Sequence, residues 1–341
     1  MKLFLKHLFF IYTLPVIAYF LFIFILDPLK CFRIYSEYYQ NSFVSPNREN
    51  VCLNLFENLD SSRYVNSFIL GNSCSHAYKT SYWLQYLPSG SRPFHLDGYR
   101  ENTLGILKKL EYLEKRGNKI NNALVILDRS IFSKRYKSYM YAMPWKLDKD
   151  SSDFYLEHFK ALTSIKFMAS YVFFSIFHKN LSFMEEYHFS KSQPVSDNTT
   201  ADLNYPGDIE VKKDPKKYFE KLKQETWVTR DKVMDITGND SYEGLNLYNI
   251  KLLNKIKDIF RRNNTNYKIV INPLYDEKKI ADKDITTIKN IFGDDNILDF
   301  SGINEITEDY KNFYDGIHYR PYVAEKIMDS IYTRNKEVVA N

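Results

Sequence analysis

The chain has 341 residues, 44% hydrophobic and 26% charged, proportions of a folded globular protein rather than a disordered or polytopic membrane chain. With Gly 11 and Pro 11, collagen-like and low-complexity sequence are excluded. The 47 basic and 42 acidic residues leave a net charge of +5, spread too thinly for the basic stripe that phosphate neutralisation needs, so no nucleic-acid partner is expected.

In chain order, the first element is the uncharged run Leu8 to Leu26, close to the roughly 20 residues that span a hydrocarbon core as a helix. Lys2, Lys6 and His7 precede it and no small-residue cleavage site follows, so it reads as an uncleaved anchor over residues 1–30. A short basic N-terminus leading a single span places that end in the cytoplasm and the body outside the cell. Residues 31–64, with polar clusters such as NSFVSPNREN, read as an irregular stalk. Residues 65–341 form the expected folded domain.

Within it, short apolar runs at 67–71, 93–97, 123–128, 267–272 and 296–300 read as strands. Between them, Leu104, Leu107, Leu110 and Leu113 line one face of a helix from Asn102 to Arg116, closed by Gly117. Further helices are read at 244–262 and 321–335, the latter opened by Pro321. Strand and helix alternate as in a parallel sheet wrapped by helices. The alternation breaks at about 134–242, an insertion or lid. It carries an aromatic helix over 154–177, whose Lys166 argues against a second crossing, and a loop, PVSDNTTADLNYPGD, without assigned secondary structure.

Three cysteines are too few for a disulfide framework, and no Cys or His spacing suits zinc, so no metal or cofactor is expected. A Cys52–Cys74 bridge stays open.

The chemistry concentrates at both ends of the domain. The first strand runs into Gly71-Asn72-Ser73-Cys74-Ser75-His76, which puts Ser73 at a strand-to-helix turn on the carboxyl edge of the sheet. Taken alone, Ser73 would be a helix cap. Near the C-terminus, Asp315-Gly316-Ile317-His318 lets a carboxylate fold back onto an imidazole Nδ1, leaving Nε2 to take a proton from a serine. The two motifs together, in the order Ser, Asp, His, point to nucleophilic acyl chemistry. His76 is expected on a surface helix. Tyr82, Trp83, Tyr99, Trp145 and Trp227 are expected mainly in the core, with stacking on sugar rings as the alternative.

These blocks resemble the SGNH (GDSL-like) hydrolase superfamily. Leu70 to Ser75 is similar to its first block, with Asn72 where the motif has aspartate, and Asp315 to His318 to its last. Phe94 to Tyr99 resembles the second block, which implies Gly98 as an oxyanion donor. The third block departs: Leu127-Asp128-Arg129-Ser130 stands where the family has G-x-N-D, so Arg129, Ser130 or backbone N–H groups are left to complete the oxyanion hole. The resemblance covers 66–133 and 243–335 and implies a flavodoxin-like three-layer α/β/α sandwich. Within the superfamily the anchored architecture resembles the cell-envelope acyl-transfer proteins, DltD-like and AlgJ/AlgX-like. That implies an extracytoplasmic O-acyltransferase, O-acetyl in the first instance, acting on an envelope polysaccharide or teichoic-acid-like acceptor beside a membrane-bound O-acyltransferase partner. An anchored carbohydrate or lipid esterase with the same triad and an inactive assembly protein are the alternatives.

Overall fold

The computed structural model describes residues 6–7, 9–40, 42–59, 64–135, 137–179, 181–184, 194–225 and 244–339. Lys2, Trp227 and the insertion's 226–242 portion lie outside them.

The chain is a mixed α/β protein. Its first helix, α1 (Phe9–Leu26), opens with a π turn and is long and apolar enough to cross a membrane. It ends at Asp27, whose left-handed backbone turns the chain back and whose carboxylate accepts from the Cys31 and Phe32 N–H groups and from the Tyr35 hydroxyl. Lys30 Nζ donates to the carbonyls of Glu37, Tyr38 and Gln40. The exit from α1 is therefore a hydrogen-bonded joint.

The expected stalk is instead part of the folded body. Helix α2 (Arg48–Leu59) lies in the core, with Val51, Cys52, Leu53 and Phe56 fully covered. Arg48, Glu49, Asn50 and Asn54 are buried too, and the charged ones among them meet distant partners. Arg48 forms an ion pair with Asp97, and Glu49 is held by Lys109 and Arg135.

The central sheet has five parallel strands in the order β2-β1-β3-β6-β7, from β1 (Ser67–Leu70), β2 (Pro93–His95), β3 (Asn122–Leu127), β6 (Asn266–Ile271) and β7 (Ile297–Asp299). Side chains alternate between faces, as the pleat requires. Phe68, Leu70, Val125 and Ile269 pack with residues of α2, α3 (Thr103–Arg116), α8 (Leu247–Asn263) and α9 (Asp282–Phe292). Ile69, Leu124, Ile126 and Val270 pack with Trp83 and with Val323, Ile327 and Ile331 of α10 (Pro321–Val339). Both faces are dry, which is why these strands read as continuous apolar runs.

The insertion is more ordered than its composition suggests. The aromatic helix is two helices, α4 (Asp153–Thr163) and α5 (Ile165–Phe177), broken at Ser164 by a ψ of 115°. The loop expected around 194–208 holds a short antiparallel pair, β4 (Val195–Ser196) with β5 (Leu203–Asn204), and then α6 (Pro206–Lys213) and α7 (Pro215–Glu225). This segment is tied to the sheet edge by long-range bonds. His95 N–H donates to Thr200 O at 2.8 Å, Arg48 to Ala201 O at 2.5 Å, and Asp202 accepts from the Thr80 N–H and hydroxyl. All three cysteines are free thiols.

Candidate active site

Strand β1 ends at Leu70, and Gly71 then makes a turn only glycine accommodates: its φ is +157° and an added Cβ would stand 2.8 Å from the Ile126 carbonyl. The chain enters a short 3-10 helix, Ser73–Ala77, capped by Asn72, whose side chain accepts from the Cys74 N–H. Ser73 is thereby held, partly exposed, at the carboxyl edge of the sheet between β1 and β3. That is where the strand order reverses, and open α/β sheets form their crevices there.

The opposing loop precedes α10. It is closed by a bridge between Phe313 and Tyr319 and by the Tyr314 N–H donating to His318 O at 2.7 Å. Buried Phe313 and Tyr319 anchor it, the Tyr319 hydroxyl donating to Asn272 at the end of β6. Within this frame Asp315 Oδ1 accepts from the Ile317 and His318 N–H groups, both at 2.8 Å, and Oδ2 faces His318 Nδ1 at 2.8 Å. His318 Nε2 lies 2.8 Å from Ser73 Oγ. A carboxylate only accepts, so the proton sits on Nδ1 and the Nε2 lone pair faces the serine hydroxyl.

The electrostatics agree with that assignment. Burial alone would lower the pKa of His318, but the charge and hydrogen bond of Asp315, with the charge of Asp128, outweigh it and hold the imidazole above its ordinary 6.5. Burial works to raise Asp315, yet His318 and the two backbone N–H groups keep it below the usual carboxylate value. Cys74, beside the serine, is no rival nucleophile: burial and then the charge of Asp128 push its thiol far up, and the protonated thiol does not attack.

The expected oxyanion donors are placed differently. Gly98 N–H donates to Gly71 O at 3.2 Å, because the second block closes onto the first as a backbone contact. Arg129 is buried in an ion pair with Asp276. Ser130 donates through N–H and Oγ to Asp128 Oδ1, at 2.7 and 2.6 Å. Asn72 Nδ2 donates to Asp128 Oδ2 at 2.6 Å and to Ser130 Oγ at 3.1 Å. Gly98, Arg129, Ser130 and Asn72 thus brace the loops around Ser73. Among the described residues the Ser73 N–H has no backbone acceptor.

Asp128 is the residue that motif reading passed over. It stands one position before the pair singled out there and locks Asn72, hence the Ser73 turn. Tyr205 is another, its ring 5.4 Å from His318 at 37° and its hydroxyl 3.0 Å from His76 Nδ1. Only the folding of the insertion brings it there. Beyond it, α6 and α7 cover the Asp315 loop, Val211 and Phe219 packing on Tyr314.

His76 corrects the expectation of a surface helix. It is buried, with Nε2 on Asp97 at 2.5 Å, and burial drives its pKa to about 3, so it is neutral. A second Ser-His-Asp array lies beneath the first: Ser75 Oγ to His95 Nε2 at 2.9 Å, and His95 Nδ1 to Asp202 at 3.2 Å. Ser75 is fully buried and donates to Asn72 O at 2.7 Å, so no substrate reaches it. Of the aromatics, Trp83 is core, Trp145 is 40% exposed and Tyr82 donates to Asp329.

No model of a known protein family matches this chain, and no curated protein sequence matches it.

Proposed function

We propose that the protein is a membrane-anchored acyl-transfer enzyme of the SGNH type, its sheet the centre of a flavodoxin-like three-layer sandwich. One observation carries this reading: a partly exposed serine at the sheet's switch point, in hydrogen-bond line with an imidazole and a carboxylate. Ser73 Oγ attacks the acyl carbonyl while its proton passes to His318 Nε2. The tetrahedral oxyanion is met by the Ser73 N–H, and the leaving group departs with the proton from His318. Asp315 fixes the tautomer and stabilises the imidazolium throughout. An acyl-Ser73 ester remains, and a sugar or polyol hydroxyl, deprotonated by His318, attacks it and carries the acyl group away.

The basic residues before α1 support an orientation with the domain outside the bacterial cell membrane, and in this reading an envelope polysaccharide or teichoic-acid-like polymer is the acceptor and a membrane-bound O-acyltransferase the source of acyl groups. Tethering concentrates the site against membrane-exported donors. Coverage of the site by α6, α7 and Tyr205 favours transfer over hydrolysis, since water exclusion lets a bound hydroxyl compete. The test is acetyl release from a chromogenic ester by the purified protein with and without an oligosaccharide acceptor: acceleration by acceptor, with acetylated sugar formed, supports a transferase, and release indifferent to acceptor indicates an esterase.

A second reading, a non-catalytic assembly protein on the same fold, is favoured by the internal engagement of Gly98, Arg129, Ser130 and Asn72. It requires that Ser73→Ala leave polymer acetylation in cells unchanged.

A further inference from the structure

Helices α4 and α5 carry apolar side chains that the fold leaves uncovered. Tyr155 is 56% exposed, Phe159 51% and Ile165, at the elbow between the helices, 87%. A soluble surface rarely presents such a concentration of large apolar groups without a partner. Their position relative to α1 identifies the partner.

The Tyr19 hydroxyl of α1 donates to the Leu162 carbonyl, the last turn of α4, at 2.5 Å. Phe20 stacks on Phe159 with ring centroids 6.1 Å apart. Further along α5, the Tyr171 hydroxyl donates to the Leu26 carbonyl at the outer end of α1. The register is consistent at both points. From Leu26 back to Tyr19 is seven residues, about 10 Å of helix, and from Tyr171 back to Ile165 is six, about 9 Å. Helix α4 thus descends along α1, turns at Ser164, and α5 climbs back beside it. The elbow lies about 10 Å below the end of α1, two-thirds of the way through one leaflet of a hydrocarbon core about 30 Å thick.

We infer that the α4–α5 hairpin is a second membrane-embedded element, dipping into the leaflet on the domain's side without crossing it. The inference rests on the reading of α1 as a membrane span. Its occupant is the hydrocarbon of that leaflet, in continuity with the lipid around α1. A cavity of about 820 Å³ between α1 and α4, walled by Phe20, Leu21, Phe24, Tyr155 and Phe159, opens on the same surface and is filled by acyl chain. The charge pair on the descending helix suits a shallow element: Lys160 pairs with Glu157 at 2.8 Å. Backbone at this depth is satisfied because it is helical, with the Ser164 side chain accepting from the Phe167 N–H and the Leu162 carbonyl taken by Tyr19. Together with the bonded joint at Asp27 and Lys30, this attaches the domain at two points. The triad then sits at a fixed height and orientation over the membrane instead of swinging on a tether.

The experiment uses the full chain in phosphatidylcholine vesicles whose acyl chains carry bromine near their middle, a short-range quencher of tryptophan. Single substitutions Ile165→Trp, Leu21→Trp on α1 and Leu247→Trp on α8, all at exposed positions, are compared with the parent protein in brominated and unbrominated vesicles. The added emission of Ile165→Trp is expected to be blue-shifted and quenched as strongly as that of Leu21→Trp, and that of Leu247→Trp to be unaffected. Quenching of Leu21→Trp with none for Ile165→Trp overturns the inference and leaves the anchor standing. Absence of quenching at both overturns the two together. A blue-shifted, unquenched Ile165→Trp in a protein that crosslinks as a dimer overturns it in favour of a second copy covering the elbow.

Discussion

Replacing Asp315 by asparagine isolates what the carboxylate does, because the two side chains have the same shape. Asp315 has three duties as an acceptor: Oδ1 takes the Ile317 and His318 N–H groups and Oδ2 takes His318 Nδ1–H. An amide has one acceptor oxygen. If that oxygen serves the backbone, the NH₂ faces Nδ1 and forces the imidazole into the tautomer with its proton on Nε2, which then cannot accept from Ser73. If it serves the imidazole, the NH₂ opposes two N–H donors and the loop opens. Either way the base is lost, and the expected fall in kcat/KM is about 10³- to 10⁴-fold, or about 4 to 5 kcal/mol of transition-state stabilisation. The pH profile carries a second signature. The base must be neutral, so activity of the native protein rises with pH through the pKa of His318, above its ordinary 6.5. Without the Asp315 charge, the residual activity of the variant is expected to turn on at lower pH. Initial rates of chromogenic ester cleavage from pH 5 to 9 measure both quantities. A variant within about tenfold of the native rate, or an unmoved inflection, refutes the triad assignment.

Other expectations concern the frame around the site. Asp97→Ala removes the shared partner of buried Arg48 and His76 and is expected to cost about 3 to 5 kcal/mol of stability in denaturant unfolding, whereas a surface pair would cost less than 1. Burial tends to raise the Asp97 pKa, but Arg48 and then His76 hold it well below the ordinary 3.8. The folded pKa being the lower one, its stabilisation is complete above 3.8 and is lost as pH falls toward the folded value, so native unfolding midpoints should vary little with this group at neutral pH. Gly71→Ala drives a Cβ onto the Ile126 carbonyl; we expect at least about 2 kcal/mol of destabilisation and a displaced Ser73, read as a lower melting temperature with lower kcat. Tyr205→Phe keeps the ring against His318 but strips His76 Nδ1 of its donor in the interior, a loss of about 1 to 3 kcal/mol with the pH profile unchanged.

The strands were legible because a parallel strand buried on both faces must be apolar throughout, as in Phe68-Ile69-Leu70 or Val125-Ile126-Leu127. Helix α3 was legible because its leucines repeat at helical spacing. Helix α2 was not. Arg48, Glu49, Asn50 and Asn54 are buried in it, and their partners, Asp97, Lys109 and Arg135 among them, lie too far along the chain for a local pattern to record. The 194–208 segment failed for the same reason, its Asp202 carboxylate being satisfied by Thr80 and His95 and its Ala201 carbonyl by Arg48 rather than by water. At the site, the Asp315 to His318 spacing is a local property and therefore readable, as is a serine after a strand. Oxyanion donors depend on where N–H groups point, which is set by contacts such as Gly98 with Gly71, and the covering residue Tyr205 arrives from an insertion whose path no motif describes.

The central claim is that Ser73 is the activated nucleophile. Treatment of the intact protein with a fluorophosphonate, followed by peptide mass spectrometry, tests it most directly. One phosphonyl adduct on the Ser73 peptide is expected, its rate reduced at least about 10²-fold in His318→Ala. Labelling on Ser75 or at scattered hydroxyls, or a rate indifferent to His318, would contradict the claim.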